Sequence, residues 1–460
     1  MHTITNGKCS KIRLSTRYLV IGIYFFAVTG YLIWVNKFTI PVHLKVDEEL
    51  YISMARSFHY EGKFAENGMV LNYSCVLYSM LLSLAYFFYT PESIVFGMRT
   101  IGVCIMLSSI FPVYLLADRI IKKESYALGV TVLFCFMPSV ADVAYCMQEV
   151  LCYPLFLWMF YFIYRETEQN KLCKISKYTP QIALLGVLCY FTKTYMLFIM
   201  VAYIMHIIVT GYMEREKKTV AKVLLLMVIS ILLYLGGELF IDIVNDGVTG
   251  SNHYFSQFTQ LFPITDKTII AAVSCIVFYV ISFLFYMGVI PVILPVYNKK
   301  NYKKTEQNII NFLMWCIVIL VLEIVISIVL TEEGIVFFPH KFLYRYFQIL
   351  EIPILILFIS NIHHLKVPKW MGIIYGGIYG YLIIYYVYIK NDQRTAIIDA
   401  PVFLLMENIT KYVCSEFNIL VCILAAVTTV VGFQYCRKRG ITYVLKRFVC
   451  LYIIGIALFF

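Results

Sequence analysis

Three consecutive carboxylates, Asp47, Glu48 and Glu49, follow the first long apolar run of the chain. Acidic side chains are scarce elsewhere, since only 14% of the 460 residues are charged. Carboxylates at a membrane surface can take up a proton, bind a cation or stabilise a developing positive charge. The same residues would also suit the first turn of a solvated helix, where acids interact favourably with the helix dipole. The sequence alone leaves both interpretations open.

The composition limits which elements can position these acids. The chain is 61% hydrophobic and 17% aromatic, with a mean hydropathy of +0.80, far outside the range of soluble globular proteins. We therefore predict an all-α, polytopic transmembrane protein formed by a single domain over residues 1–460. The net charge of +11 is what an excess of Lys and Arg in cytoplasmic loops produces. We expect no nucleic-acid partner.

The cysteines and the first apolar run point to the same class. The 14 cysteines lie scattered, mostly within apolar runs, and form no C-x-x-C pair, so they are interpreted as small hydrophobic residues. A disulfide framework and a zinc site are not expected. Residues 18–36 are too long and too aromatic for a removable signal peptide, and we predict that they form the first span.

The distribution of basic residues predicts the topology, because loops rich in Lys and Arg face the cytoplasm. An even number of crossings must then separate any two basic segments. Three apolar runs lie between the first two of these segments, so one run does not cross. We assign this role to residues 72–89, which are polar in places and slightly shorter than the roughly 20 residues that a span needs. They are predicted to lie at the outer interface as a helix.

The remaining runs bring the predicted total to about 13 crossings, with the amino terminus inside and the carboxyl terminus outside. Residues 126–164 should form two spans joined by a turn near Asp142–Pro154, which puts Glu149 outside. Residues 181–212 should form a hairpin of short helices that breaks at Thr192-Lys193-Thr194. The other predicted spans are 94–116, 219–240, 268–298, 309–330, 347–361, 370–389, 415–435 and 443–460.

This topology gathers charges of both signs near the outer face. The first outer loop with its interfacial helices covers residues 37–93, and a later outer loop covers 331–346. Ionisable groups at span ends are costly unless they are paired or functional. Carboxylates facing cations would suit a substrate that joins an anionic phosphate to a group needing a base. The residues concerned are Asp47, Glu48, Glu49, Arg99, Glu149, Lys193, His340, Lys341 and Arg345.

Several of these residues lie in patterns that resemble the type-C (GT-C) membrane glycosyltransferases. The branch most similar includes the protein mannosyltransferases and the aminoarabinose transferase of lipid A. The resemblance runs over roughly residues 15–360 and is most specific at Asp47-Glu48. It implies a GT-C-like fold, a lipid-phosphate sugar donor and a catalytic carboxylate in the first outer loop. The patterns are Asp47-Glu48-x2-Tyr51-x3-Ala55-Arg56 with Gly62, then Arg99, Glu149-x4-Pro154, Thr192-Lys193 and Arg345-Tyr346-x6-Pro353.

The resemblance gives each residue an expected role. Asp47 would be the catalytic base, with Glu48 or Glu49 orienting it or holding a divalent cation. Arg345 offers a planar fork that matches phosphate oxygens. The other residues expected to bind substrate are Tyr346, Lys193, Lys341, Arg99 and Glu149. No cofactor is required, and a divalent cation held among Asp47, Glu48 and Glu149 stays an open alternative.

The expected function is therefore inverting transfer of a sugar from a polyprenyl-phosphate donor to a glycan, glycolipid or protein acceptor. The reaction would take place on the outer face of a bacterial plasma membrane, with membrane lipids as the surrounding partners. A transporter or lipid flippase is one alternative, although such proteins usually show paired internal repeats and charges near the bilayer centre. A polysaccharide polymerase or ligase is another, for which the late outer loop 390–413 is short.

Overall fold

The computed structural model describes most of the chain up to residue 380. The described residues are almost entirely helical, which confirms the predicted all-α class. One short antiparallel hairpin pairs β1 (Ala65–Glu66) with β2 (Met69–Val70). The described ranges are 5–38, 46–71, 73–247, 266–329, 344–365, 368, 370–374, 376–378 and 380.

The helices before residue 248 carry the candidate site. They are α1 (Thr5–Phe38), α2 (Val46–Glu61), α3 (Leu77–Leu82), α4 (Pro91–Leu107), α5 (Ile110–Ile121), α6 (Glu124–Cys135), α7 (Glu149–Glu168), α8 (Thr179–Thr192), α9 (Leu197–Met213) and α10 (Thr219–Val244). Short 3₁₀ helices cover Ser83–Phe87, Pro138–Ala144 and Thr194–Met196. The later helices are α11 (Asp266–Met287), α12 (Val289–Tyr297), α13 (Lys304–Val329) and α14 (Glu351–Ser360).

Several of these helices are compatible with a membrane protein. Within the described residues, five helices are long and apolar enough to cross a membrane, and a sixth candidate is a pair bent by 97° between α11 and α12. The five are Tyr18–Asn36, Pro91–Ile121, Thr194–Met213, Thr219–Val244 and Lys304–Ser327. They coincide with predicted spans at residues 18–36, 94–116, 219–240 and 309–330, and with the second arm of the hairpin predicted over 181–212.

One local prediction is confirmed, and the interfacial position of another segment stays a prediction. The helix pair in 181–212 breaks at Lys193, whose extended backbone (φ −154°, ψ 125°) separates α8 from the 3₁₀ turn that leads into α9. The segment predicted at the outer interface forms only a short apolar helix over Leu77–Phe87. This length, about 16 Å of helix, is too small to cross the roughly 30 Å hydrocarbon core.

Two other predictions are wrong in detail. The turn placed at Asp142–Pro154 ends earlier, because α7 begins at Glu149 and contains Pro154. A proline inside a helix removes one backbone hydrogen bond, which the packing of a fully buried segment can offset. The single span predicted over 268–298 is broken at Gly288, between α11 and α12. The predicted spans 415–435 and 443–460 lie outside the described residues, as does most of 370–389.

The chain separates into two compact units. The first contains residues 1–261 and 311–323, and the second contains residues 262–310 and 324–460. In the first unit, α7 is the central helix, because it packs against α4, α5 and α8 and buries residues on all of its faces. In the second unit, α12 packs against α14, and the Tyr302 hydroxyl donates a hydrogen bond to the Leu357 carbonyl at 3.1 Å.

Candidate functional site

The acidic triplet forms the first turn of α2, and the helix sorts its members by burial. Glu48 is buried at 5% exposure, Asp47 is half-buried and Glu49 is exposed. Glu48 shares its face of α2 with Tyr51 and Ala55, since residues three or four apart lie on one side of a helix. This face packs against the protein, so the triplet is more than a solvated helix start.

Glu48 is held by one oxygen. Its Oε1 accepts a hydrogen bond from the backbone N–H of Cys146 at 2.9 Å, which ties α2 to the segment before α7. Its Oε2 is buried and has no hydrogen-bond partner among the described residues. Burial and the nearby Glu48 charge raise the pKa of the Cys146 thiol to about 12. Cys146 therefore stays protonated and unreactive beside the carboxylate.

Two more buried polar side chains belong to the segments that pack in this region. The Gln148 amide donates to the Cys75 carbonyl at 2.7 Å, whereas its Oε1 has no partner among the described residues. The hydroxyl of Tyr78 on α3 is also buried and without a partner in that part of the chain. Burial, together with the negative charges of Glu48 and Glu149, raises the pKa of Tyr78 well above its ordinary value. Tyr78 is thus a neutral hydrogen-bond donor close to two carboxylates.

A buried ion pair completes this region. Lys193 Nζ lies 3.1 Å from Glu149 Oε1, and the two side chains are only 10% and 3% exposed. Lys193 also donates to the Tyr51 hydroxyl at 3.4 Å and lies 5.8 Å from the centre of that ring. Because Lys193 occupies the break after α8, its side chain can reach α7 and α2 together. The pair therefore joins three segments that are distant in sequence.

Arg99 approaches the same region from α4. It is buried, and its guanidinium donates to the Val35 carbonyl at 3.1 Å, which fixes the end of α1 against α4. Its charge opposes the rise in the pKa of Cys146, so it lies within electrostatic reach of the group that binds Glu48. Arg99 contributes positive charge to the site and also anchors α1.

The structure brings together four of the predicted residues, Glu48, Arg99, Glu149 and Lys193, with Asp47 beside them on α2. Sequence reasoning missed Tyr78, Cys146 and Gln148 as members of the site. Gln148 gave the clearest signal, since it is an uncharged polar residue directly before Glu149 in an otherwise apolar stretch. The Tyr78 and Cys146 positions carry no such signal, because each looks like part of an apolar run.

The residues predicted in the late outer loop lie elsewhere. Arg345 and Tyr346 belong to the second unit, in the 3₁₀ turn Tyr344–Tyr346, and both are half-buried. Lys341 and His340 lie outside the described residues. The binding roles predicted for Arg345, Tyr346 and Lys341 stay predictions.

The metal interpretation gains no support from the geometry. In the part of the chain that the structure describes, no three His, Cys, Asp or Glu side chains are grouped as a metal site requires. Asp47, Glu48 and Glu149 therefore do not form such a group. One Glu48 oxygen binds a backbone N–H, and Glu149 is paired with Lys193.

A second buried ion pair lies near the other end of α7, between Glu166 and Lys222. Both side chains are fully buried, and the Tyr203 hydroxyl donates to the same Glu166 oxygen that Lys222 contacts. The other oxygen accepts from Ser176 and, at 2.8 Å, from Thr179. Lys222 also donates to the Leu172 carbonyl at 2.6 Å. We call these residues the Glu166 cluster.

Comparison with known proteins gives one match. A family model described as a domain of unknown function (DUF6311) matches residues 77–328, more than half of the chain. The matched region contains Tyr78, Arg99, Gln148, Glu149 and Lys193 and begins after the acidic triplet of α2. No curated protein and no solved structure matches the chain.

Proposed function

Because the chain belongs to the DUF6311 family, whose description leaves the function open, we propose a function from the candidate site: an inverting, GT-C-like membrane glycosyltransferase. It would transfer a hexosyl or pentosyl group from a polyprenyl-phosphate donor to a glycan, glycolipid or protein acceptor. The proposal includes about 13 spans and a site on the outer face of a bacterial plasma membrane.

One observation carries the proposal. Glu48 is a buried carboxylate with an unsatisfied oxygen, and it lies next to the buried Tyr78 hydroxyl and the Glu149–Lys193 pair. A buried polar group without a partner costs about 1–3 kcal/mol, and a ligand that supplies the missing partner removes this cost. A hydroxylated ligand could both accept from Tyr78 and donate to Glu48. Sugars have this property.

The chemistry assigns different roles to the two acids. Asp47 is half-buried, so its carboxylate can face a substrate and accept the proton of the acceptor hydroxyl. The acceptor oxygen then bonds to the anomeric carbon, while the bond from that carbon to the phosphate oxygen breaks and the phosphate leaves with the electron pair. Glu48, held by Cys146, orients the first turn of α2. A phosphate leaving group needs no separate general acid, unlike the sugar that leaves in a glycosidase.

Cations would stabilise the departing phosphate. Lys193 and Arg99 supply buried positive charge in the first unit. Glu149 holds Lys193 in place before the donor binds. Arg345, Tyr346 and Lys341 remain proposed contacts to the donor, based on the resemblance alone.

The decisive experiment uses the purified protein in liposomes with a polyprenyl-phosphate donor carrying a labelled sugar. The proposal expects release of free polyprenyl phosphate together with label on a water-soluble or lipid acceptor. Movement of the intact donor across the bilayer, with no cleavage, would support a flippase instead. Chain growth from a lipid-linked oligosaccharide would support a polymerase or ligase.

A further inference from the structure

Asn245 follows the last residue of α10 and is almost fully buried, at 1% exposure. Its Oδ1 accepts from the backbone N–H of Phe64 at 3.0 Å, and its Nδ2 donates to the carbonyl of Leu71 at 3.0 Å. The oxygen and the nitrogen of the side-chain amide thus each form a hydrogen bond with a backbone group more than 170 residues away.

The two backbone groups flank the hairpin formed by β1 and β2. Leu71 N–H also donates to the Phe64 carbonyl at 2.8 Å, so the Asn245 amide extends the hydrogen-bonded ladder of the hairpin by one step. The hairpin turn is Asn67-Gly68, with φ of 51° and 81°. Two positive φ angles favour this Asn-Gly pair and fix the register of the strands. Asn245 therefore binds a segment that is already preorganised.

The hairpin in turn fixes the end of α2. The helix ends with Gly62 in a left-handed conformation (φ 69°), where the Gly62 N–H donates to the Phe58 carbonyl at 3.2 Å. Phe58 of α2 stacks on Phe64, with ring centres 4.8 Å apart and planes within 4°. Phe64 is fully buried in an apolar cluster with Val76, Val187, Phe191 and Ile241. The last turn of α2 is thus docked against α8 and α10.

We propose that Asn245 is a positioning residue for the acidic helix, an inference that rests on the proposed function. Glu48 and Cys146 fix the first turn of α2, while Asn245 fixes the chain just beyond its last turn. From Glu48 to Glu61 the helix is about 20 Å long and moves as one body. Loss of the distant anchor would therefore tilt α2 and displace Asp47 at the other end. A displacement of about 1 Å can cost roughly 100-fold in rate.

The test compares Asn245→Ala with Asp246→Asn. Asp246 forms an ion pair with Lys63, which joins the same two segments, but the Lys63 side chain is 38% exposed and the Asp246 side chain is 69% exposed. An exposed ion pair contributes little to stability, and Asn tolerates the positive φ of 54° at this position, so Asp246→Asn is the matched control. Hydrogen exchange of peptide 62–72 reports the docking of the hairpin, and steady-state kinetics with the polyprenyl-phosphate donor report transfer.

For Asn245→Ala we expect faster exchange in residues 62–72 and a kcat reduced on the order of 100-fold, with little change in donor KM. Asp246→Asn should leave both near wild type. If Asn245→Ala does not fold, Asn245→Ser keeps a neutral polar group that can retain one of the two hydrogen bonds, and it should give a smaller effect in the same direction.

Each contrary outcome has a distinct meaning. If residues 62–72 of Asn245→Ala exchange at the wild-type rate, Asn245 does not hold the hairpin in place. If they exchange faster while kcat stays normal, Asn245 does not position α2 for catalysis. A loss of donor binding at unchanged kcat also contradicts the proposal, because Asn245 is not expected to contact the donor. An inactive wild-type protein with the expected exchange pattern overturns the proposed function and leaves the docking role of Asn245 intact.

Discussion

The two ends of α7 each present a buried glutamate paired with a lysine, and their surroundings differ. At the Glu166 end, both carboxylate oxygens accept hydrogen bonds from hydroxyl groups, and the lysine also binds a backbone carbonyl. At the Glu149 end, the pair lies beside Glu48 and Tyr78, each of which has a buried polar atom without a partner in the described residues. Both ends bury charge, and a carboxylate oxygen without a partner in the described residues, Glu48 Oε2, lies at the Glu149 end.

This difference between the two ends of α7 indicates which end contributes to stability and which to function. Buried networks in which every group is satisfied rigidify a protein and can specify a single packing. Unsatisfied buried groups reduce stability, and they persist where a ligand or reaction uses them. We therefore interpret the Glu166 cluster as structural and the Glu48–Glu149 region as the site. The following predictions could contradict this assignment.

The largest effect is expected for Asp47→Asn. The substitution keeps the shape of the side chain and removes the proton acceptor, so turnover should fall by about 100- to 10,000-fold. Donor binding and the unfolding midpoint should not change. Glu49→Gln, on the exposed side of the same turn, is the control and should be close to silent. Normal turnover in a folded Asp47→Asn protein would exclude Asp47 as the base.

The Glu166 cluster should respond in stability. Lys222→Met leaves the fully buried Glu166 carboxylate without its cation, and removal of one partner of a buried pair costs about 3–5 kcal/mol. The free energy of unfolding in detergent measures this loss. Lys174→Met is the control, since Lys174 is 46% exposed in its pair with Glu216 and its replacement should change the free energy of unfolding little. A stable but inactive Lys222→Met protein would make this end part of the site.

A smaller effect on turnover is expected for Glu48→Gln. The amide oxygen can still accept from Cys146 N–H, so α2 should stay in place while the charge beside Asp47 is lost. Turnover should fall by about 10- to 100-fold, between the Glu49 and Asp47 variants. A loss as large as that of Asp47→Asn would mean that Glu48 takes part in the reaction or holds an ion. Added divalent cation or chelator then separates these two cases.

The smallest effect is expected in the chemical labelling of the Cys146 thiol. Because its pKa is raised to about 12, only about one thiol in 10,000 is ionised at pH 8. Maleimide should label it slowly in the folded protein and rapidly after unfolding, and labelling should accelerate as the pH rises towards the pKa. A Glu49→Cys variant in which Cys146 is replaced by Ala provides an exposed reference. Fast native labelling of Cys146 would show that the surroundings of Glu48 are open to water.

The sequence predicted the elements better than the contacts. The apolar runs and the Thr192-Lys193-Thr194 interruption were sufficient for the long helices and for the break at Lys193. Pro154 was misleading, since a proline usually marks a turn and here lies within the buried α7. Residues 268–298 form one continuous apolar run, so their hydropathy contained no indication of the bend at Gly288.

The site was predictable only in part. Acids and cations near the outer ends of spans could be grouped by topology, which correctly associated Glu149 with Lys193. Glu48 is the buried member of the triplet because it lies on the face of α2 that packs against the protein. Three adjacent acids in a sequence do not show which face of the helix will pack. Its partner Cys146 is 98 residues away and binds through its backbone. Asn245 was missed for the same reason, because its partners are main-chain groups and leave no pattern in the sequence.

The break at Lys193 also bears on how the chain is inserted during synthesis. At 14 residues, or about 21 Å, α8 is too short to stay in a bilayer by itself, and it ends next to a charge. Glu149, which neutralises that charge, precedes Lys193 and is therefore synthesised first. Lys222 likewise emerges after Glu166. At both ends of α7 the glutamate is therefore synthesised before the lysine that pairs with it. We expect α7 to be inserted first, and α8 and α10 to pack against the first unit later, as their lysines pair with Glu149 and Glu166.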